Sequence, residues 1–352
     1  MCGADFSAKK ILFIIKLRTG YGAFFVWLRL TVRETKKKEG FMALSLVEYM
    51  RSQQVMDPRL PGVIKVFTKN APILGDAQNL GIGLPALKWV NSVGGVVSWT
   101  RQVSLPTAAF RALNSEYDAS EGVTEKKTED LKLIGARIEV DRALEPRGNG
   151  QGIVEQQIMQ VAALARKWNE TFYKGDGEDN TFTGLQERID GDQEVDNEGA
   201  GLDLYKLDKM ILELRGDDPV IVMGTGLAAW LFKAAKEQTN IQYAPAQFGV
   251  SPATYNGIPI MLAGEDASED EILDFSEAGT TTSLYLLSLD TERGVVGAQT
   301  QPLQVLDYDQ NKVDQSYLVE WDNNFMIKTK RSAYRLKSIA NVAVGADAPS
   351  SS

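Results

Sequence analysis

Residues 151–177 read QGIVEQQIMQVAALARKWNETFYKGDG, and this stretch holds the clearest periodic pattern in the chain. Its apolar side chains recur at alternating spacings of four and three residues, which is the spacing of one face of an α-helix. The positions are Val154, Ile158, Val161, Ala165, Trp168 and Phe172. The breaker run at 146–150 precedes the pattern and the glycines at 175 and 177 end it, so we predict a long helix with one apolar face.

Two strands and a polar connection are predicted upstream of that helix. Residues 96–103, VVSWTRQV, are β-rich and partly alternating, and residues 136–141 alternate apolar with charged side chains. The polar stretch at 114–130 has too little apolar content to bury itself, so we expect a long projecting hairpin or loop. Residues 42–95 contain four prolines and several glycines, which favours the extended segments of an arm over long helices.

Downstream of the helix, the sequence alternates between helical and extended patterns. A polar, acidic loop at 175–201 precedes a predicted helix at about 204–214. An apolar strand at 220–223, a tight turn at 224–226 and an amphipathic helix at 227–237 follow. Further strands are predicted within 255–264, 283–290, 303–309 and 316–339, with a hairpin near the end. This order indicates α/β layering within a mixed α+β fold.

Composition removes several classes of function. Histidine is absent, which takes away the commonest general base and the commonest transition-metal ligand. The single cysteine, Cys2, cannot form an internal disulfide or a zinc site. The net charge is −9, and the acidic character of the chain argues against direct binding to a phosphate backbone, which needs clustered Lys and Arg.

Residues 1–41 differ from the rest of the chain. They carry nine Lys or Arg against three Asp or Glu, and basic residues interrupt their apolar runs before the ~20 residues that a bilayer requires. The small-residue cleavage site of a signal peptide is also missing. Residues 38–40 can be encoded by a purine-rich, ribosome-binding sequence just before Met42. We therefore interpret residues 1–41 as a start-site artefact or a disordered extension, with Met42 or Met1 as the true start, and expect a flexible tail at 343–352.

Two motifs resemble ligand sites in part. The turn at 224–226 follows a strand as in a nucleotide-binding loop, but the third glycine is replaced by Ala229 and no Walker lysine follows, which favours a structural turn. The acidic run at 190–198 resembles a calcium loop, but Val195 and Gly201 stand where the glycine and the bidentate glutamate are needed, which favours a solvated loop. We therefore predict no catalytic, cofactor-binding or metal-binding residues, and no enzymatic activity.

Several local phrases resemble the major capsid proteins of tailed bacterial viruses with the Hong Kong 97-type fold. They are FYKGDG at 172–177 followed by FTGL at 182–185, VIVM at 220–223 leading into a helix, and YNGIPI at 255–260. The order of arm, polar hairpin, long helix and strand-closed α/β region is also similar to that family. The resemblance covers about residues 42–342.

The resemblance implies a layout of domains. It consists of an N-terminal arm at 42–95, an E-loop region at 96–140, a peripheral domain with a spine helix at 141–200 and 306–342, and an axial domain at 201–305. The family's N-terminal scaffolding segment is not evident, which implies a separate scaffold protein. Some members cross-link a lysine to an asparagine of the next subunit, and Lys126 or Lys127 with Asn323 or Asn324 are candidates, although such pairs are abundant and solvated charges are the favoured interpretation.

The function that the resemblance implies is that of a structural shell. Copies of the chain would assemble as hexamers and pentamers into an icosahedral capsid around packaged double-stranded DNA, in the bacterial cytoplasm and then the virion. Portal and decoration proteins would be further partners, contact with DNA would be indirect, and no membrane or cofactor would be involved. Two alternatives remain open, an encapsulin-like cellular compartment and a carboxylate-based soluble hydrolase.

Overall fold

The protein is described by a computed structural model, and the chain comprises two compact units, residues 1–42 and 43–352. The structure describes residues 16–18, 23–25, 44–45, 66–75, 85–141, 151–237, 241–243, 253–310 and 314–348. In the first unit, β1 (Lys16–Arg18) pairs with β2 (Ala23–Phe25) in antiparallel orientation. Among the described residues, none of the helices is both apolar enough and long enough to cross a bilayer.

Among its described residues, the second unit contains fourteen strands and four α-helices, besides a short helical segment at 66–70. The strands before the long helix are β3 (Leu44–Ser45), β4 (Lys88–Asn91), β5 (Val96–Ser104), β6 (Val123–Asp130) and β7 (Lys132–Asp141). The helices are α1 (Gln151–Lys174), α2 (Leu185–Arg188), α3 (Leu204–Glu213) and α4 (Thr225–Glu237). The later strands are β8 (Glu194–Asp196), β9 (Pro219–Met223), β10 (Ile241–Tyr243), β11 (Ala253–Tyr255), β12 (Ile258–Leu262), β13 (Thr281–Ser288), β14 (Val295–Gln310), β15 (Asp314–Ile327) and β16 (Ala333–Ala340).

These strands form two large sheets and a separate hairpin. The seven-stranded sheet has the order β10-β11-β12-β9-β13-β16-β8, and the five-stranded sheet has the order β3-β4-β14-β15-β7. Strands β5 and β6 pair only with each other. Both large sheets combine parallel and antiparallel pairs, and β9 reaches its parallel neighbour β12 after α4. The fold is therefore mixed α+β, as the sequence predicts.

Helix α1 packs by its C-terminal half into an aromatic core. Trp168 and Phe172 are completely buried, and the Trp168 ring centroid lies 5.7 Å from that of Trp321 on β15. The predicted helix and the buried part of its stripe from Val161 onward are confirmed. Ile158 departs from the prediction because the aromatic layer lies beneath the later turns, and its side chain is 47% exposed.

Part of the predicted arm also lies in this core. Residues 66–70 are helical, and the 3₁₀ turn Pro72–Leu74 follows them, so this region is not simply extended. Phe67, Leu87 and Trp89 are fully or almost fully buried beside the α1 aromatics. Their burial explains the departure, because a helical turn places large apolar side chains under the sheet while its main chain stays hydrogen-bonded.

The sheets divide the chain differently from the predicted domain layout. Strand β16 pairs with β13 and β8 in the seven-stranded sheet, whereas the predicted layout places its residues in the peripheral domain. Strand β14 begins at Val295, so the five-stranded sheet includes residues on both sides of the predicted boundary at 305.

Two regions predicted to be loop or tail have defined contacts. The segment 175–201 contains α2 and β8, and its Phe182 and Leu185 are buried. The first residues of the predicted flexible tail form main-chain hydrogen bonds with the body, since the Gly345 amide donates to the Leu202 carbonyl at 3.0 Å and the Ala346 carbonyl accepts from the Gly201 amide. Parts of other predicted segments lie outside the described residues, namely most of 1–41, 46–65, 76–84, the breaker run 146–150 and residues 349–352.

We predict that Trp168→Ala lowers the free energy of unfolding by about 3–5 kcal/mol, because a fully buried indole is lost and its cavity remains. The matched control is Glu170→Ala on the same helix, whose partly exposed side chain pairs with Lys167 and should contribute no more than about 0.5 kcal/mol. Urea denaturation of the unassembled chain measures both values. Equal losses would show that the core face of α1 is wrongly placed.

Candidate functional site

The hairpin formed by β5 and β6 projects as the sequence predicts. Its register runs from the pair Val96 and Asp130 to the pair Ser104 and Val123, and all residues from 102 to 126 are exposed. The polar sequence at 114–130 predicts a long hairpin or loop, and residues 123–130, VTEKKTED, form the second strand of this hairpin. A two-stranded ladder requires only main-chain pairing, so exposed polar side chains at 123–130 are compatible with a strand.

The outer part of this hairpin displays apolar side chains that have no cover within the described chain. We call residues 103–123 the hairpin tip. Phe110 and Leu113 are the extreme cases, since Leu113 is 95% exposed and Phe110 is fully exposed. Other exposed apolar residues of the tip are Val103, Leu105, Tyr117 and Val123. Such a concentration of apolar surface is typical of a protein–protein contact, and an isolated two-stranded hairpin is at best marginally stable in water.

The root of the hairpin is fixed to the body by Arg188, at the end of α2. Two of its nitrogens form a bidentate ion pair with Glu129 on β6. Its other donors bind the Thr183 carbonyl at 2.6 Å, the Phe325 carbonyl at 2.8 Å and the Asn324 side-chain oxygen at 2.9 Å. All five guanidinium N–H groups are therefore used. We call Arg188, Glu129 and Asn324 the root latch.

Because the guanidinium of Arg188 is buried, its charge requires the Glu129 carboxylate beside it. The side chain of Arg188 is only 9% exposed, and desolvation lowers its pKa while the facing Glu129 carboxylate opposes that effect. An arginine in a protein stays protonated, so its charge has to be neutralised where it is buried. Because Glu129 belongs to the hairpin and Arg188 to the body, the orientation of the hairpin is coupled to this charge.

Two further hydrogen bonds attach the hairpin to β15. The Asn324 side-chain nitrogen donates to the Asp130 carbonyl at 2.7 Å, and Arg101 on β5 donates to the Ile327 carbonyl at 2.9 Å. Both strands of the hairpin are thus bonded to the same strand of the body.

The asparagines considered for cross-linking have structural roles in this chain. Asn323 is completely buried and accepts a hydrogen bond from the Trp168 indole at 2.7 Å, while Asn324 belongs to the root latch. The ammonium of Lys127 lies 2.8 Å from the Glu125 carboxylate on the exposed hairpin. Lysines and asparagines therefore lie in different environments, the former in solvent and the latter inside the subunit.

The turn at 224–226 is filled by the protein's own groups. The Glu271 carboxylate accepts a hydrogen bond from the Thr225 amide at the start of α4, where a phosphate would bind in a nucleotide site. A Cβ at Gly224 would lie 2.0 Å from the Leu273 carbonyl oxygen, so close packing explains the glycine. This geometry agrees with a structural turn.

The acidic run at 190–198 is dispersed around β8. Glu194 forms ion pairs with Arg335 at 2.9 Å and with Lys337 at 3.0 Å on the neighbouring β16. The amide of Glu198 donates to Asp196, and this bond lowers the pKa of the Asp196 carboxyl. Within the described ranges, no group of three or more Cys, Asp or Glu side chains is placed to hold a metal ion.

We predict that Glu129→Gln lowers the free energy of unfolding by about 1–3 kcal/mol, because it leaves the buried Arg188 without a carboxylate. Amide hydrogen exchange should also become faster across β6. Glu125→Gln on the same strand is the control, and its melting temperature should nearly equal that of the parent because the exposed ion pair of Glu125 with Lys127 contributes little to stability. A Glu129→Gln variant as stable and as protected as the control would contradict the coupling between charge and hairpin.

Comparison with known proteins identifies the fold but not a sequence family. No protein-family description matches the chain, and no curated protein matches it by sequence. The SrpI encapsulin complex from Synechococcus elongatus PCC 7942 has a similar structure, with a TM-score of 0.56 at 16% identity over 86% of this chain and 98% of that chain. The Mycobacterium phage Bobi structure gives 0.51 at 10% identity over 76% and 90% of the two chains. The capsid of a native GTA particle gives 0.50 at 13% identity over 72% and 88%. The chain therefore has the mixed α+β, Hong Kong 97-type fold that capsid and encapsulin proteins share.

Proposed function

We propose that the chain is a subunit of a closed protein shell. The observation that carries this proposal is the hairpin tip, which displays Phe110 and Leu113 in solvent on a root that is firmly bonded to the body. Folding of one chain leaves these side chains in water, whereas contact with another copy removes them from water. Because the root is rigid, the tip has the same orientation in every copy, and every such contact would have the same geometry.

Repetition of this contact between copies is sufficient to build a shell, and no catalysed reaction is required. Identical contacts between copies generate closed rings when the rotation between subunits closes, and many modest interfaces together stabilise a large particle. The fold shared with an encapsulin and with phage capsids supports this assignment. In this role, the subunit requires no catalytic group and no cofactor.

Within this class, we favour the major capsid protein of a tailed bacterial virus. The phrases FYKGDG, FTGL and YNGIPI and the order of the predicted parts support it. The excess of 47 acidic over 38 basic residues suits a lining along which packaged DNA moves without being bound tightly. The shell would be assembled in the bacterial cytoplasm with a separate scaffold protein, and portal and decoration proteins would complete the virion.

In this assignment, the hairpin of β5 and β6 corresponds to the E-loop. The five-stranded sheet with α1 corresponds to the peripheral domain, and the seven-stranded sheet with α3 and α4 corresponds to the axial domain.

An encapsulin-like compartment is the second candidate. One observation favours it, since the similarity to the SrpI encapsulin extends over 98% of that chain with a TM-score of 0.56. Both candidates use the same contacts between copies, and they differ in what the shell contains.

Electron microscopy of the purified chain, expressed alone and with a candidate scaffold, tests the proposal. Closed shells support it, and an unassembled chain at high concentration under both conditions contradicts it. Nuclease-protected DNA inside native particles would identify a virus, whereas a protein cargo without DNA would identify a compartment.

We predict that replacing residues 106–121 with a short glycine turn gives a soluble, folded chain that forms no stable shells. The deletion spares β5, β6 and the root latch, so the melting temperature of the unassembled chain should change little. Phe110→Asp should also impair assembly, whereas Phe110→Leu keeps an apolar side chain and should assemble. Sedimentation and electron microscopy measure the outcome, and normal particles from the shortened chain would exclude the tip as the contact.

A further inference from the structure

The hairpin tip has a defined structure of its own, although all of its residues are exposed. Beyond the last ladder pair its two legs stay side by side, and the Ser120 hydroxyl donates to the Thr107 carbonyl at 2.9 Å. Gly122 lies against the opposite leg, where an added Cβ would come within 3.1 Å of the Pro106 side chain. The two legs are therefore in contact past the end of β5.

A β-turn at 112–115 forms the end of the tip. The Ser115 amide donates to the Ala112 carbonyl at 3.3 Å, and the Ser115 hydroxyl donates to the same carbonyl at 2.9 Å. The backbone of Asn114 has a φ of +69°, and asparagine tolerates this left-handed conformation better than most residues that carry a side chain. Leu113 lies at the apex of this turn, which accounts for the full exposure of its side chain.

Arg111 connects the two sides of this turn. Its guanidinium donates to the Ser115 carbonyl at 3.0 Å and lies 5.3 Å from the centre of the Tyr117 ring. A guanidinium over the face of an aromatic ring at this distance is attracted by the ring electrons. Each of these exposed contacts is modest by itself. Together they join the residue before the turn to two residues after it, so the conformation of the tip depends on Arg111.

We propose that Arg111 is a positioning residue for the contact between subunits, because it holds the tip in one conformation before a second copy binds. The proposal rests on the proposed function as a shell subunit. Phe110 directly precedes Arg111, and Leu113 lies inside the turn that Arg111 holds, so both apolar side chains are presented together. A loop that is ordered in advance loses less conformational entropy on association than a mobile loop does.

Nuclear magnetic resonance relaxation of the unassembled chain tests the order of the tip. For residues 110–117 of the parent we expect backbone order parameters of about 0.85, as in a rigid backbone, and for Arg111→Ala we expect values below about 0.6. Lys126→Ala is the matched control, because it removes an exposed cation from β6 outside the tip and should leave the tip ordered. A parent tip as mobile as that of Arg111→Ala would overturn the proposal.

Light scattering and sedimentation of the same variants test whether this order matters for assembly. Arg111→Ala should raise the critical concentration for assembly on the order of tenfold, because each tip must then be ordered as the contact forms. Lys126→Ala should assemble at the parental concentration. Phe110→Ala removes a fully exposed ring, so it should impair assembly while its tip stays ordered. This difference separates a contact residue from a positioning residue.

Order and assembly should change in parallel, and Arg111→Lys, which keeps the charge and a donor, should retain most of both. Impaired assembly of Arg111→Ala with a tip as ordered as that of the parent would show that Arg111 contacts the second copy directly. Normal assembly with a disordered tip would show that order in advance is not needed. Either result overturns the role of Arg111 and leaves the shell function intact, whereas a parent chain that never assembles contradicts the proposed function itself.

Discussion

The hydrogen bond from the Trp168 indole to the Asn323 side chain joins the long helix α1 to strand β15. It lies among completely buried rings, where an unpaired amide or indole nitrogen would be costly. The Asn323 amide donates in turn to the Trp321 carbonyl, and the Trp321 indole donates to Gln299 on β14. This short series of bonds runs across the core and fixes the helix relative to two strands, because a shift of either would leave several buried polar atoms unpaired.

The same strand connects the core with the hairpin. Successive residues of a strand point to opposite faces, so Asn323 reaches the aromatic core while Asn324 reaches Arg188 and the hairpin root. The two adjacent asparagines therefore connect β15 to two different parts of the subunit, Asn323 to the aromatic core and Asn324 to the hairpin root. Packing on one face and charge neutralisation on the other depend on one stretch of main chain, which explains why two buried asparagines lie next to each other on β15.

Sequence patterns predict those helices and strands that bury one face and expose the other. Helix α1 and strand β5 belong to this class, since their periodicity follows from one-sided burial. Strand β6 has no buried face of its own and so carries no such signal. The helical turn near Phe67 was missed because short apolar runs between prolines fit extended and helical structure equally well.

The root latch could not be predicted from the sequence. Arg188 and Glu129 are 59 residues apart, and each resembles an ordinary surface charge until the fold brings them together. The cluster of Arg335 with Glu194 and Glu277 is a similar case, since its members come from three distant segments. Only an alternation in charge along β8 and β16 hints at such pairs, and the sequence contains many comparable alternations.

The hairpin is attached to the body at one end, so a small rotation at its root produces a large displacement of its tip. Strand β5 has nine residues, which gives the arm a length of roughly 30 Å at the usual rise of a strand. A rotation of about 10° at the root then displaces the end of the arm by about 5 Å, which is close to the spacing of neighbouring strands. The contacts at the root, which include the ion pair of Arg188 with Glu129 and the hydrogen bonds of Arg101 and Asn324, therefore set how precisely the tip is positioned one arm length away.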